Sequence, residues 1–417
     1  MLKPHHRMYL TAFFMDSSVM VMFATAPFFV FTQIGGDETM AGAVGAIQMI
    51  AYALSCLISA RFVAQTENGL RWAFLGVILF IFFSCLMPLR PTFPFCATIS
   101  FLAFAALGLV WPALQSWIGA EPDAARRAQH MAIFSISAGC GFALSPLLGG
   151  PLFDLDYRLP FIAVALLGVA ILTLIRTLPH EKEHFIDNPV PVDDESDSTA
   201  ADGRNWTSLL AAWNALFVLN VLVGATRSIY PKRVMDLLAA GELRVLFESG
   251  SSPLLNQGPA TTFSWLVSTL WIATAVCYLL LGRWPLWPHQ MRLLLGLQVL
   301  AGGASWLLGN TQSLLIMLVC FAIVGVSCGV SFFVAMTYSL ADPRHKHRRA
   351  ATTEGILGVG GFAGSIGFGY LAGRYEVVTP FLYTPILIIV GLAIQVWLLR
   401  RVPLATPPTP IESHPVH

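Results

Sequence analysis

Charged residues are scarce in this chain of 417 amino acids. Asp, Glu, Lys and Arg together make up 11% of it, whereas soluble domains carry about 25%. Hydrophobic residues make up 56%, and a water-soluble fold of this size cannot hide so much apolar surface. The net charge of +1 offers no basic surface to a polyanion, and no RRM, zinc-finger or P-loop pattern is present. The composition therefore argues against a nucleic-acid partner and favours a protein embedded in a lipid bilayer.

Reactive and metal-binding patterns are also missing. None of the seven cysteines forms a CxxC pair, and we interpret them as small packing residues because they lie in or beside apolar runs. No nucleophile–base arrangement and no cluster of metal ligands is visible along the chain. We therefore expect no catalytic residue, no metal and no cofactor. The basic start "MLKPHHRMYLTAFFMDSS" has no small-residue cleavage site and predicts the approach to a first spanning helix.

Long apolar runs dominate what is present. A helix that crosses a bilayer needs roughly 20 mostly apolar residues, and the sequence contains about twelve candidates by this rule. They lie near 8–32, 38–60, 71–89, 94–119, 128–152, 158–178, 207–230, 260–282, 291–309, 312–339, 350–373 and 378–400. The chain is thus predicted to be an all-α polytopic membrane protein.

A polar stretch divides the twelve candidates into two sets of six. Residues 180–205 are acidic and proline-bearing and have too few apolar side chains to order themselves, so we predict a flexible linker. The first bundle then occupies 1–179, the second 206–403, and a tail 404–417. The long connection at 231–259 includes "VMDLLAAGELRVLF", whose apolar spacing predicts a short amphipathic helix. This connection is either a decorated loop or a functional lid or partner site.

Positive charges are unevenly divided between the two sets of loops. If both termini are cytoplasmic, 17 of the 24 Lys and Arg residues fall on the cytoplasmic side and 7 on the other. Positively charged short loops stay in the cytoplasm. We therefore predict cytoplasmic termini, in the inner (plasma) membrane of a bacterium.

The two halves of the sequence resemble each other. Residues 119–150 match residues 340–373, so that Glu121 corresponds to Asp342. Gly141 and Gly150 correspond to Gly364 and Gly373, nine positions apart in both copies. Two six-helix halves with internal similarity are typical of transporters, whereas the repeats of a solenoid have a much shorter period.

Helix-breaking residues are concentrated in "GCGFALSPLLGG", residues 139–150. The run Gly141, Ser145, Pro146, Gly149 and Gly150 resembles the G-x-x-x-G-P-x-x-G-G pattern in the fifth helix of the major facilitator superfamily, with serine at the second glycine. With the 6+6 layout, the chain looks like a transporter of that superfamily over nearly its whole length. The resemblance implies a monomer with 12 transmembrane helices in two pseudo-symmetric bundles, and it slightly favours export.

Small residues four positions apart let a helix approach its partner closely, because lipid supplies no hydrophobic drive between helices. Gly141, Ser145 and Gly149 have this spacing, and Pro146 bends the helix. The resemblance implies that helices 5 and 11 slide against helices 8 and 2 when the halves rock. The alternative is tight packing without motion.

Two superfamily signatures are degraded. Of the loop pattern between helices 2 and 3 only Arg61 survives, and its counterpart in the second half is Arg283. The resemblance implies the ion pairs Arg61–Glu121 and Arg283–Asp342 at the cytoplasmic rim, each worth about 0–1 kcal/mol; the alternative is solvated loop charges. Proton antiporters of the superfamily carry an arginine in helix 4. This chain has none there, which weakens the case that it uses the antiport mechanism.

Few charges lie within the predicted spans, and each needs a reason because a charge inside a bilayer is costly. Asp16 is the candidate for proton coupling, unless nearby Ser17 and Ser18 or an Arg hold it. Arg227 is a candidate for binding an anionic or polar solute, unless it reaches the outer interface. Glu354 is either a gate acid facing Arg61 or, as we favour, a first-turn acid. His130 is interpreted as an interface residue.

Polar and aromatic residues on helices of both halves complete the predicted cavity. Aromatics with a few hydrogen-bonding groups suit a drug-sized or sugar-sized solute, although packing is the favoured explanation for any single one of them and only the set as a whole indicates a cavity. The set consists of Gln48, Tyr52, Trp111, Gln115, Asn220, Trp265, Thr269 and Tyr338.

The sequence therefore predicts a secondary transporter of a small organic solute that works by alternating access, with protons as a candidate coupling ion. Two alternatives stay open. One is a transceptor or membrane scaffold that keeps the fold without net transport. The other is an uncoupled facilitator, for which replacing Asp16 with Asn leaves transport intact.

Overall fold

The computed structural model describes residues 3–63, 69–119, 121, 124–179, 199–244, 257–281, 291–340 and 346–400. Within these ranges, twelve helices are long and apolar enough to cross a membrane, which confirms the predicted number. The protein is an integral membrane protein. Its helices are α1 (Pro4–Phe29), α2 (Glu38–Val63), α3 (Gly69–Leu86), α4 (Phe93–Gly119), α5a (Ala124–Leu144), α5b (Pro146–Leu155), α6 (Leu159–Arg176), α7a (Thr199–Ser228), α7b (Tyr230–Ala239), α8 (Pro259–Leu281), α9 (Met291–Asn310), α10 (Leu314–Leu340), α11 (Lys346–Arg374) and α12 (Thr379–Arg400).

Two spans are each made of two helical segments, which we call α5 and α7 as wholes. In α5 the break falls at Ser145, because Pro146 has no backbone N–H to continue the helix. The backbone N–H of Ser145 still donates to the Gly141 carbonyl at 3.1 Å, and the Ser145 carbonyl accepts from the Gly149 N–H at 2.9 Å. The helix is therefore interrupted where the sequence predicts, while the hydrogen bonds on both sides of Pro146 are kept.

The helix predicted within 231–259 is observed, but its position differs. It runs over Tyr230–Ala239 and continues the seventh span after Ile229, with Tyr230, Pro231, Val234 and Leu237 buried. Residues 245–256, the second part of this connection, lie outside the described residues. The helix starts early because Pro231, which suits a first helical turn, stands at its beginning.

The predicted linker, residues 180–205, extends too far towards the C-terminus. The helix α7a begins at Thr199, within the stretch 180–205. A helix can extend beyond the bilayer into water, and the alanines of "TAADG" favour it locally. Residues 180–198 and the tail 404–417 lie outside the described part of the chain.

The packing of the helices repeats the sequence duplication. In the first half α1 packs on α5 and α6, α2 on α4, and α3 on α4 and α6. In the second half the helices six numbers higher make the same pairs: α7 with α11 and α12, α8 with α10, and α9 with α10 and α12. The most extensive contacts between the halves are those of α2 with α11 and of α5 with α8. The structure is thus two bundles of six with one shared interface.

The helices α1 and α7 lie at the centre. In their most apolar stretches 89% and 72% of the residues are buried, against 22% in α12. The helix α12 exposes large apolar side chains such as Ile386 and Ile389, as expected where a helix meets lipid. A charged residue on α1 or α7 therefore lies inside the protein. We call the end of the bundle where α1 begins and α12 ends the terminal end, and the opposite end the distal end.

Candidate functional site

The two halves meet with almost no space between their backbones near the distal end. A methyl group on Gly42 of α2 would lie 2.7 Å from the Cα of Gly369 on α11. A methyl group on Gly150 of α5b would overlap the Ser264 hydroxyl and lie 2.5 Å from the Ala260 carbonyl oxygen, both on α8. Carbon atoms need more than 3 Å, so only glycine allows these two contacts.

The glycine pairs that define the sequence repeat have equivalent positions in the structure. Gly141 packs against the backbone of α1, and Gly364 against the backbone of α7. These are the first helices of their own halves. Gly150 packs on α8, and Gly373 on Thr39 of α2, so both second glycines contact the opposite half. One glycine of each pair therefore holds its half together, while the other lies at the interface between halves.

This arrangement differs from the predicted sliding face. The sequence pattern places Gly141, Ser145 and Gly149 together on the face that meets a partner helix in the opposite half. In the structure Gly141 and Gly149 contact α1, with Val21 3.4 Å from the position of a Gly149 methyl group. Adjacent residues of a helix point about 100° apart, so Gly150 faces α8 instead. The Ser145 hydroxyl is buried and makes no hydrogen bond to a described residue.

Arg227 is the charged residue of α7 inside the bundle. Its guanidinium carbon lies 3.9 Å from the ring centre of Phe23 on α1. Its Nη2 donates to the Gly45 carbonyl oxygen at 3.3 Å, and its Nη1 lies 3.2 Å from the Met49 sulfur. The side chain therefore crosses from the second half to the first rather than reaching towards a lipid headgroup. Among the described residues it makes no ion pair.

Asp16 and Glu354 are acidic residues within the spans of opposite halves. Asp16 lies on α1 and is 7% exposed, and Glu354 lies on α11 and is half-buried. Ser17 and Ser18 donate to the carbonyls of Phe13 and Phe14, which removes them as partners of Asp16. The Asp16 carboxylate makes no hydrogen bond within the described ranges.

Glu354 does not have the position that the sequence favoured. The helix α11 begins at Lys346, so Glu354 lies two turns inside it and is not a first-turn acid. Glu354 therefore lies in the membrane-spanning part of α11, the helix that packs on α2 of the opposite half.

Gln48 and Asn220 are buried polar residues on the helices that carry Gly45 and Arg227 respectively, but they differ in their hydrogen bonds. The Nε2 atom of Gln48 is buried and has no partner among the described residues. The Asn220 Nδ2 donates to the Leu216 carbonyl of its own helix at 2.8 Å. A buried amide without a partner is costly. The Gln48 amide therefore has an N–H donor available to a solute, whereas the Asn220 amide already donates to Leu216.

The other predicted cavity residues have mixed surroundings. Trp111 packs on Phe134 with ring centres 6.2 Å apart, and Gln115 is exposed. Trp265 is 42% exposed and donates to the Gln257 side chain, while Thr269 donates to the backbone of α8. Tyr338 is buried in a separate apolar cluster of the second half. Their contact with a solute stays a prediction.

The predicted rim pairs fall mostly outside the described residues. This applies to the side chain of Arg61 and to Arg283 and Asp342. Glu121 is described, and its carboxylate lies 3.7 Å from the Nε2 atom of His5. His5 is a neighbour that the sequence analysis did not propose.

Sequence reasoning also missed a contact between halves at the distal end. The Asp154 carboxylate at the end of α5b accepts from the Ala260 N–H at 3.2 Å and the Thr261 N–H at 2.7 Å. It also accepts from the Thr261 hydroxyl at 2.6 Å. Asp154 thus caps the N-terminus of α8, a helix in the opposite half. The available signal was "GPATT" at 258–262, in which the residue before the first proline of α8 is a glycine and so offers no capping side chain.

Replacing Asp154 with Ala should favour conformations in which the distal end is open. A helix cap contributes about 0.5–2 kcal/mol, which corresponds to roughly a 2- to 30-fold change in that equilibrium. Spin labels on the distal ends of α5 and α8 should report a larger population at long distances. Asp154→Asn should be intermediate, and Asp156→Asn, two residues away and bound within its own loop, should behave as wild type. Identical distance distributions for all four proteins would contradict the role of this cap.

The interface of two duplicated six-helix halves, with charged side chains enclosed between them, defines a secondary-transporter type of membrane protein. The chain belongs to the Major Facilitator Superfamily, whose sequence profile matches residues 8–247. A search of curated protein sequences returns no significant match. The superfamily and its fold are those of solute transporters rather than enzymes.

Several solved transporter structures have the same fold. A bacterial homologue of the human lysosomal transporter Spinster, inward-facing and unoccupied, is 14% identical with a TM-score of 0.74, covering 96% of this chain and 97% of that one. A POT family transporter in complex with a thioalcohol-conjugated peptide is 14% identical with a TM-score of 0.74, covering 95% and 96%. The nucleoside transporter NupG is 12% identical with a TM-score of 0.72, covering 96% and 100%. At these identities the likeness establishes the fold alone.

Proposed function

We propose that the protein transports a small organic solute that carries an anionic group, and that it does so by alternating access. The observation that carries this proposal is the enclosed Arg227 guanidinium, which has no ion pair among the described residues. A charge taken out of water is costly unless it is paired. A solute carboxylate or phosphate would supply that pair, since an arginine binds either group with two parallel hydrogen bonds.

The surroundings of Arg227 support a solute at this position. The ring of Phe23 fixes one face of the guanidinium, and its described hydrogen-bond partners are a thioether and a single carbonyl. Both are weaker acceptors than an anion. The unpartnered Nε2 of Gln48 comes from the next turn of the same helix as Gly45. A guanidinium and an amide donor are therefore available to one anionic solute.

We propose Asp16 and Glu354 as the coupling site for protons. The two carboxyl groups come from opposite halves, so their separation changes when the halves rock. A proton bound by either group lowers the cost of bringing the two carboxyl groups closer. Proton uptake would thereby be linked to the relative position of α1 and α11. We place the terminal end in the cytoplasm and propose export as the direction of transport. The support for export is the glycine–proline pattern of α5.

Transport in proteoliposomes tests the function and its coupling. Purified protein should accumulate an organic anion, chosen by thermal-shift screening of carboxylates and phosphates, when a pH gradient is imposed. Asp16→Asn should lose accumulation by at least about tenfold while it still exchanges solute across the membrane, because one coupling group is missing and the pathway is intact. Asp37→Asn, on the short connection before α2, provides a matched control.

The outcomes separate the remaining alternatives. An Asp16→Asn protein that accumulates solute normally contradicts proton coupling through this residue. A wild-type protein that equilibrates solute across the membrane but never accumulates it is an uncoupled facilitator. A wild-type protein that binds a solute in the thermal-shift screen but never moves it contradicts transport and supports a transceptor.

A further inference from the structure

Two histidines and a glutamate come together at the terminal end of the first half. They are His5 in the first turn of α1, Glu121 between α4 and α5a, and His130 in α5a. Their potential ligand atoms all lie within 4.8 Å of one another, and the three side chains are half-buried. His5 is more than 110 positions from both Glu121 and His130 in the chain, so only the fold assembles the three residues.

The spacing of His5 and Glu121 is close to that of two ligands around a small ion, and it is also short enough for an ion pair. The His5 Nε2 and Glu121 Oε2 atoms are 3.7 Å apart, which is longer than an ordinary hydrogen bond of about 2.7–3.2 Å. Two ligands of a tetrahedral zinc ion, each about 2.0–2.2 Å from the metal, lie roughly 3.4 Å from each other. A contraction of a few tenths of an ångström would bring these two groups to that distance.

The neighbouring residues prepare the histidines for metal binding. The Nδ1 atom of His130 and the Tyr9 hydroxyl oxygen form a hydrogen bond; when Nδ1–H is the donor, the Nε2 lone pair of that ring is available to a metal. Metal-binding histidines almost always use their second nitrogen in such a contact, because it holds the ring in place. Trp117 packs edge-on against His5, with ring centres 5.7 Å apart. The cluster therefore has a supporting layer as well as ligands.

We propose that His5, Glu121 and His130 form a binding site for a divalent transition-metal ion of the zinc type. Imidazole and carboxylate are suitable ligands for zinc, and three protein ligands leave a fourth position for water. In the structure the two imidazole rings are stacked, with centres 3.9 Å apart. Binding requires their nitrogen lone pairs to converge, so the ring of His5, on the first turn of α1, must turn.

All three ligands belong to the first half of the protein. A bound ion would join the start of α1 to the connection between α4 and α5a, and it would not bridge the interface between halves. The bound ion would therefore stabilise the first half without blocking its motion relative to the second half. This role is independent of the solute proposed above.

Metal titration of tag-free protein tests the proposal. After treatment with EDTA, the protein in detergent is titrated with ZnCl₂ by calorimetry, and its melting temperature is followed. Co²⁺ is used as a second probe, because its visible absorption reports four-coordinate binding. We expect one ion per protein and a higher melting temperature. Loss of a supporting contact alone weakens binding about 10–100-fold, so Tyr9→Phe should fall in that range, and Glu121→Gln or His130→Gln should weaken binding more.

His6→Gln is the matched control, since His6 adjoins the cluster but is not a member of it. The zinc affinity of the His6→Gln variant should equal that of the wild type. Absence of zinc binding at micromolar concentrations would overturn the proposal. Equal weakening by His6→Gln and His130→Gln would overturn it too, because this result indicates scattered surface histidines. Each variant's unbound melting temperature and elution profile show whether it is folded, so loss of the site is distinguished from loss of the protein.

Discussion

Gly150→Leu should abolish transport, with a rate at least about 100-fold below that of the wild type, while the protein still folds. A side chain at Gly150 overlaps the Ser264 hydroxyl and the Ala260 backbone on α8. Backbone atoms cannot move aside as a flexible side chain can, so α5b and α8 must separate. The contact lies between the halves, and each half keeps its own core. The distal end would therefore stay open, and alternating access would stop.

The adjacent glycine provides a stringent control for this prediction. A methyl group on Gly149 would meet Val21 of α1 at 3.4–3.5 Å, an ordinary contact within one half. Gly149→Ala should thus keep most of its transport, whereas Gly150→Ala should already lose most of it. Uptake into proteoliposomes and the melting temperature of each variant are the measurements. If the two alanine variants transport equally well, the close contact between α5b and α8 is not required for the cycle.

Arg227→Gln should lower kcat/KM for an anionic solute by about 10–100-fold. Hydrogen bonds to charged groups contribute about 1.5–3 kcal/mol, and every 1.4 kcal/mol is a factor of ten. Glutamine keeps a donor but loses both the charge and the stacking on Phe23. Arg227→Lys should be intermediate, because it keeps the charge without the planar fork. Solute uptake and binding by calorimetry provide the two readouts.

A charge variant outside the interface separates recognition from general electrostatics. Arg374 lies exposed in the last turn of α11, so Arg374→Gln removes the same charge at a distance from Phe23. It should leave kcat/KM unchanged. An Arg227→Gln protein that transports the anion as well as the wild type does would contradict the proposed solute class. If it instead transports a neutral analogue faster, the anionic group is confirmed as the one that Arg227 recognises.

The arrangement of spans and the repeat could be predicted because both depend on local features of the sequence. A bilayer requires about 20 apolar residues for each crossing, whatever their tertiary partners, so the twelve runs were visible directly. The correspondence of Gly141 and Gly150 with Gly364 and Gly373 was also readable. It matches the equivalent contacts that these four residues make in the two halves.

The partner of each helical face could not be read in the same way. Gly149 and Gly150 are adjacent identical residues, and nothing local indicates that one faces α1 and the other α8. Asp154 was overlooked for a similar reason, since its partners are 106 and 107 positions away. Glu354 was misplaced because α11 extends two turns beyond its apolar part, where hydropathy carries no signal.

The sequence by itself determined that this is a membrane protein of two related six-helix halves, since hydropathy and internal similarity are properties of the linear sequence. Tertiary structure alone decided which glycines lie between the halves and how Arg227 meets Phe23. It also decided that His5, Glu121 and His130 share one place, although no cluster of ligands was visible along the chain. The physical reason is that lipid accommodates any apolar helical face equally well. Which helix packs against which therefore depends on the shape and polar groups of the whole bundle.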